Sequence, residues 1–205
     1  EIDPAAPGWT RRLDSPLVGR EHELEQLELT LGKLAGGGKS ALVTLLGAAG
    51  VGKSRLSREF LERARAGATI LQGRCLPYGE GITFWPVAGV VREAMGVDDR
   101  DPSDQAQSTI SELLGGDEDA ALVAERLATL VGGGAANPGI QETFWAVRKL
   151  FEHLGQKRPL VVVFDDIHWG EETFLDLVEH AVLLSSGAAI LLLCMARPEL
   201  LERRA

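Results

Sequence analysis

The chain has 205 residues, enough for one domain with a substantial apolar core and short for two. Hydrophobic residues make up 45% of it and charged residues 25%, a balance that excludes a disordered chain. The formal net charge of -9 excludes a nucleic-acid grip built from this segment, because neutralising a phosphate backbone takes an excess of clustered Lys and Arg.

In chain order, residues 1–16 are rich in Pro, Ala and Gly without periodicity and read as a linker, leaving 17–205 as a single core. Leu24, Leu27, Leu31 and Leu34 recur at helical spacing from Glu21, and Gly36-Gly37-Gly38 ends that helix. Ala41 to Leu46 is a short apolar run of buried-strand type, and Leu56, Phe60, Leu61 and Ala64 mark a helix after Gly52. Ala68 to Cys75 is a second strand, closed by the turn signal Pro77-Tyr78-Gly79.

From Thr83 to Val131 the pattern is that of short helices broken by Gly96, Pro102 and Gly115-Gly116, with an acidic patch at Asp98 to Asp104. Ile140, Phe144, Val147, Phe151 and Leu154 share one face of a helix that Gly155 is expected to close. Leu160 to Phe164 is a central parallel strand buried on both faces. Phe174, Leu177, Val178 and Ala181 form a helix, and Ala188 to Met195 a last buried strand. Strands alternating with helices imply an α/β fold with right-handed crossovers.

Cys75 and Cys194 sit far apart in apolar strand-like runs and read as buried free thiols, which suits a reducing cytoplasm. The longest strongly apolar run, Ala188 to Ala196, is about half the roughly 20 residues that cross a bilayer, and no signal peptide is visible.

Gly47-Ala48-Ala49-Gly50-Val51-Gly52-Lys53-Ser54 matches the complete G-x-x-x-x-G-K-[ST] pattern between a strand and a helix, the context such a loop requires. Its glycines let successive N–H groups turn toward phosphate oxygens, and the helix that follows presents unpaired N–H groups and its positive end. Lys53 is expected at the β- and γ-phosphates of ATP and Ser54 at magnesium, with Arg55 completing the nucleotide-facing positions. Asp165, at the end of the strand from Leu160, is expected to hold magnesium through its water shell, and Asp166 to orient or deprotonate the attacking water. Arg197 ends the last strand, where a cation would face the γ-phosphate, whereas Arg203 and Arg204 read as solvated tail charges.

Four segments resemble the ATPase domain of the STAND class of AAA+-like P-loop NTPases. They are Leu17-Val18-Gly19-Arg20-Glu21, the phosphate loop, Val163-Phe164-Asp165-Asp166-Ile167-His168-Trp169, and Ala196-Arg197-Pro198-Glu199-Leu200. Gln72-Gly73-Arg74-Cys75 and Phe84-Trp85-Pro86 narrow the resemblance to modules of large bacterial LuxR-type regulators and of multidomain proteins carrying an adenylate cyclase domain. The resemblance implies a three-layer αβα fold with a mostly parallel sheet, in which the sensor strand lies between the phosphate-loop strand and the acidic strand. It places Val18, Gly19 and Arg20 near adenine and ribose, and implies a slow ATPase that switches a regulator by self-association or through attached domains. It also implies a further strand and a helical lid beyond the sensor strand, so a core ending at Ala205 reads as truncated. Gly170 and Glu171 depart from the Ala-Asp usual in the family at that corner. Two other readings stay open, an interaction module that binds nucleotide without hydrolysing it and a small-molecule kinase.

Overall fold

The computed structural model describes residues 18–77, 83–96, 103–132 and 139–203. Four apolar runs become the parallel strands β1 (Ser40–Leu46), β2 (Thr69–Arg74), β3 (Leu160–Asp165) and β4 (Ile190–Ala196), in the order β1-β4-β3-β2. Strand β4, the one the resemblance takes as the sensor strand, thus lies between the phosphate-loop strand and the acidic strand, the order the resemblance implied. The register pairs Leu46 with Ala196, Phe164 with Cys194 and Arg74 with Asp165. All four strands therefore deliver their C-terminal residues to one edge, where ligands bind in open α/β sheets.

Strand side chains alternate between two cores, as a period of two demands. On one face Val161, Val163, Leu191 and Leu193 pack with α1 (Glu21–Gly37) and α2 (Lys53–Ala64). On the other, Val162, Phe164, Leu192 and Cys194 pack with α3 (Trp85–Met95), α5 (Ala120–Gly132), α6 (Ile140–Lys157) and α7 (Glu172–Leu183). The result is a three-layer α/β fold with β3 and β4 buried on both sides.

The broken stretch after Thr83 resolves into α3, α4 (Ser103–Leu114) and α5, with Gly96 ending α3 at φ +65°. Most of the acidic patch, like the linker and Tyr78-Gly79, lies outside the described residues. One boundary differs from expectation: α6 runs through Gly155 to Lys157. Gly155 is there for space, since a Cβ on it would lie 3.0 Å from both Ala189 O and Ile190 Cγ1, where the helix crosses the start of β4. The chain leaves the helix at Arg158, which adopts the extended backbone favoured before Pro159. Periodicity also gave no warning of the 3₁₀ turn Ile167–Trp169 or of the short α8 (Glu199–Arg203).

Candidate functional site

The phosphate loop grows directly out of the sheet. Gly47 N–H donates to Ala196 O at 3.2 Å, carrying the β1–β4 ladder one residue further before the chain turns away. Gly50 and Gly52 then take φ +81° and +100°, backbone states that side chains rarely adopt. A Cβ on Gly47 would fall 2.8 Å from Val51 Cγ1. Helix α2 begins at Lys53 with no side-chain cap and no acidic residue in its first turn, and Leu56 N–H to Gly52 O at 2.9 Å opens its ladder. The N–H groups of Lys53 and Ser54 precede that bond, at the positively polarised end of the helix. Lys53 folds back over the loop, its Nζ donating to Gly47 O at 2.6 Å and Ala48 O at 3.1 Å.

The acid pair stands one strand beyond β4. Asp165 Oδ1 accepts the Asp166 N–H at 2.8 Å. Asp166 has φ +56°, the sole positive φ outside glycine among the described residues. Its Oδ2 accepts a bond from Arg74 Nη2 at 3.0 Å, an ion pair between β2 and the turn after β3. Burial raises the Asp165 pKa, the neighbouring Asp166 charge raises it further, and the Asp166 N–H, Arg74 and Lys53 oppose the rise. Lys53 and Asp165 are therefore within electrostatic reach across β4. Arg74 had no role on sequence grounds, and its signal was an arginine ending a strand that pairs with the acidic strand.

Arg197 follows β4 directly, and no described residue pairs with its guanidinium. The His168 side chain is buried, with neither ring nitrogen hydrogen-bonded among the described residues. Burial lowers its pKa, with Asp166 opposing and Arg197 reinforcing the effect. Cys75, also buried, has its thiol pushed up to about 12 by desolvation and then by the two aspartates, so it is an inert thiol rather than a nucleophile. Cys194 is likewise buried and free.

Val18, Gly19 and Arg20 lead into α1, where Gly19 N–H donates to Glu21 Oε1 at 3.1 Å and Arg20 pairs with Glu23 at 2.5 Å. None of these bonds reaches the phosphate loop. Arg203 is not a solvated tail charge: its guanidinium binds His168 O, Gly170 O and Glu172. Arg204 lies outside the described residues.

With this arrangement in view, the model of one protein family, the AAA ATPase domain, matches residues 16–193. The chain belongs to the AAA ATPase domain family. An uncharacterized protein of Rhizobium meliloti (strain 1021) is 32% identical over 199 residues, covering 91% of this chain and 19% of that protein. The crystal structure of Cdc6p from Pyrobaculum aerophilum superposes with a TM-score of 0.50 at 19% identity, over 96% of this chain and 43% of the other. That likeness bears on the fold alone, and it agrees with the parallel sheet and flanking helices described above. The AAA domain thus spans about a fifth of its Rhizobium relative, and it is a nucleotide-binding type of module.

Among the described residues no three His, Cys, Asp or Glu side chains cluster as a metal cage. Ser54, in the first turn of α2, and Asp165, at the end of β3, each carry a hard oxygen donor. Two hard donors of this kind fit magnesium, which keeps several waters and completes its shell with substrate phosphates. No described helix is long and apolar enough to cross a membrane.

Proposed function

We propose that the chain binds ATP with magnesium and hydrolyses it slowly, serving as the switch module of a multidomain signalling or transcriptional regulator of the STAND class, of the kind found in LuxR-type and adenylate-cyclase-associated proteins. The observation that carries the reading is the phosphate loop, with Lys53 drawn over it and an uncapped helix end behind it, one strand away from the acid pair at the end of β3. N–H groups from Gly47 to Arg55 cradle the phosphates, and Lys53 turns from the loop carbonyls to the β- and γ-oxygens. Ser54 and Asp165 would hold magnesium, which would supply neutralisation of phosphate charge when bound.

Asp166 orients a water for in-line attack on the γ-phosphorus and accepts its proton; the bond from that phosphorus to the β–γ bridging oxygen breaks, and ADP leaves with the electron pair. Arg197 meets the γ-phosphate, and Val18, Gly19 and Arg20 flank the adenosine. Arg74 holds one oxygen of the Asp166 carboxylate, Oδ2, in an ion pair, and the other oxygen is the one that serves the water. The same ion pair also fits a module that binds nucleotide without hydrolysing it. The length of the Rhizobium relative supports a core of residues 17–205 working within a longer chain, by self-association or against attached domains.

Single-turnover phosphate release separates the readings. Wild type should bind MgATP and release phosphate at well below about one per second. Asp166→Asn keeps a side chain that tolerates the left-handed backbone and should bind alike while releasing phosphate at least about tenfold more slowly. Asp165→Asn should instead raise the magnesium concentration needed for tight binding. Identical magnesium dependence and turnover in the two variants would refute this division of roles.

A further inference from the structure

The turn that carries Asp166 is held from outside by the helix that follows the sensor strand. Within the turn, Trp169 N–H donates to Asp166 O at 2.9 Å and Gly170 N–H to Ile167 O at 2.9 Å. The carbonyls of His168 and Gly170 are left pointing out of its far end, and Arg203 takes both, Nη1 donating to His168 O at 2.8 Å and Nη2 to Gly170 O at 3.1 Å. The same Nη2 pairs with Glu172 Oε1 at 3.1 Å, at the first residue of α7. One guanidinium thus closes three acceptors in the fork geometry that suits arginine and that a lysine cannot copy.

Arg203 is itself held in place. It ends α8, which starts two residues after Arg197 and is anchored by the buried Leu200. Asp166 and Arg197 end adjacent strand arms, and the clasp joins those arms a second time beyond the sheet edge. The ring runs from β4 through Arg197, α8 and Arg203 to the turn, then through Asp166 back to β3. Asp166 sits at φ +56°, a conformation that persists where the surroundings over-determine it. Beneath the turn lies the His168 ring, without a hydrogen-bond partner among the described residues, so packing alone steadies that side.

We propose that Arg203 is a positioning residue that couples the sensor arm to the catalytic turn, so that a displacement of Arg197 and α8 at the γ-phosphate is passed to the Asp166 carboxylate. The proposal rests on the ATPase reading above. The Arg203 guanidinium is taken up by the turn carbonyls and Glu172, so its loss acts on the placement of Asp166 and leaves phosphate binding intact.

The test measures MgATP affinity by titration and phosphate release by single turnover in wild type, Arg203→Ala, Arg203→Lys and Glu172→Gln, with thermal melting to show that each is folded. Arg203→Ala should keep the dissociation constant within about threefold and lower the rate constant at least about tenfold. Arg203→Lys should recover part of that loss, and Glu172→Gln should stay near wild type because both carbonyl bonds remain. Trp169, between the two clasped carbonyls and 46% exposed, supplies a readout independent of turnover. Its emission, isolated by subtracting the matching Trp169→Phe protein, should change when magnesium and a non-hydrolysable ATP analogue bind to wild type, and should not respond in Arg203→Ala. An Arg203→Ala protein with wild-type rate and wild-type Trp169 response overturns the clasp and leaves the ATPase reading standing. Failure of wild type to bind MgATP overturns both.

Discussion

Replacing Lys53 by alanine isolates the contribution of one charge, because its present partners are known. Nζ now donates to the carbonyls of Gly47 and Ala48 at 2.6 and 3.1 Å, bonds of charged type worth about 1.5–3 kcal/mol each. Two phosphate charges at about 4 Å, in a partly exposed site with an effective dielectric near 20, would attract the ammonium by about 8 kcal/mol. Giving up the two carbonyl bonds leaves a net gain of about 2–5 kcal/mol, which corresponds to a loss of roughly 30-fold to several thousand-fold in MgATP affinity for Lys53→Ala. The fold should be unaffected, since the loop is solvent-exposed and water can replace Nζ at both carbonyls. Isothermal titration of wild type and variant with MgATP, alongside melting curves, measures both quantities. A loss smaller than about threefold in a variant that melts like wild type would refute the placement of Lys53 at the phosphates.

Arg197→Ala should weaken ATP binding more than ADP binding, because the proposed contact is to the γ-phosphate alone, and equal losses by titration would put Arg197 elsewhere. Gly73→Ala should destabilise the fold by about 1–3 kcal/mol in denaturant melts, since its Cβ would lie 2.4 Å from Pro86 O and 3.0 Å from the Phe164 ring. A melt like that of wild type would mean β2 and α3 can part freely. His168 and His180 both have lowered pKa values, chiefly from burial, so the unfolded chain binds protons more readily near its ordinary value of about 6.5. Their contribution to stability is present above that value and is lost as pH falls through it toward the folded-state values. Melting temperature should accordingly drop between about pH 7 and pH 5.5, and less steeply in His180→Leu, which keeps an apolar partner for Phe144; equal slopes would contradict this account.

Lys53, Asp165 and Asp166 were legible as candidates because each is announced by its local context. A phosphate loop needs glycines at fixed offsets from a lysine, and a buried strand betrays its end when an unbroken apolar run gives way to acid. The strands and most helices were legible for the same reason, since their periodicity is a local property of the chain. Gly155 was misread because its reason is a neighbour far away in sequence: the glycine admits the start of β4 rather than ending α6.

The alternating strands and helices, the phosphate loop and the acidic strand end all follow from residue types within a few positions of one another, so the chain alone announces them. Which charges meet depends instead on how distant segments pack. Arg74 reaches Asp166 from 92 positions away because β2 pairs with β3 in a register that sets Arg74 beside Asp165. Arg203 crosses 35 positions to His168 because α8 turns back over the end of β3 after leaving β4. A guanidinium on a short terminal helix carries no local sign of its partner, since hydrogen bonding depends on where carbonyls are aimed, and the packing of β3 against β4 sets that aim.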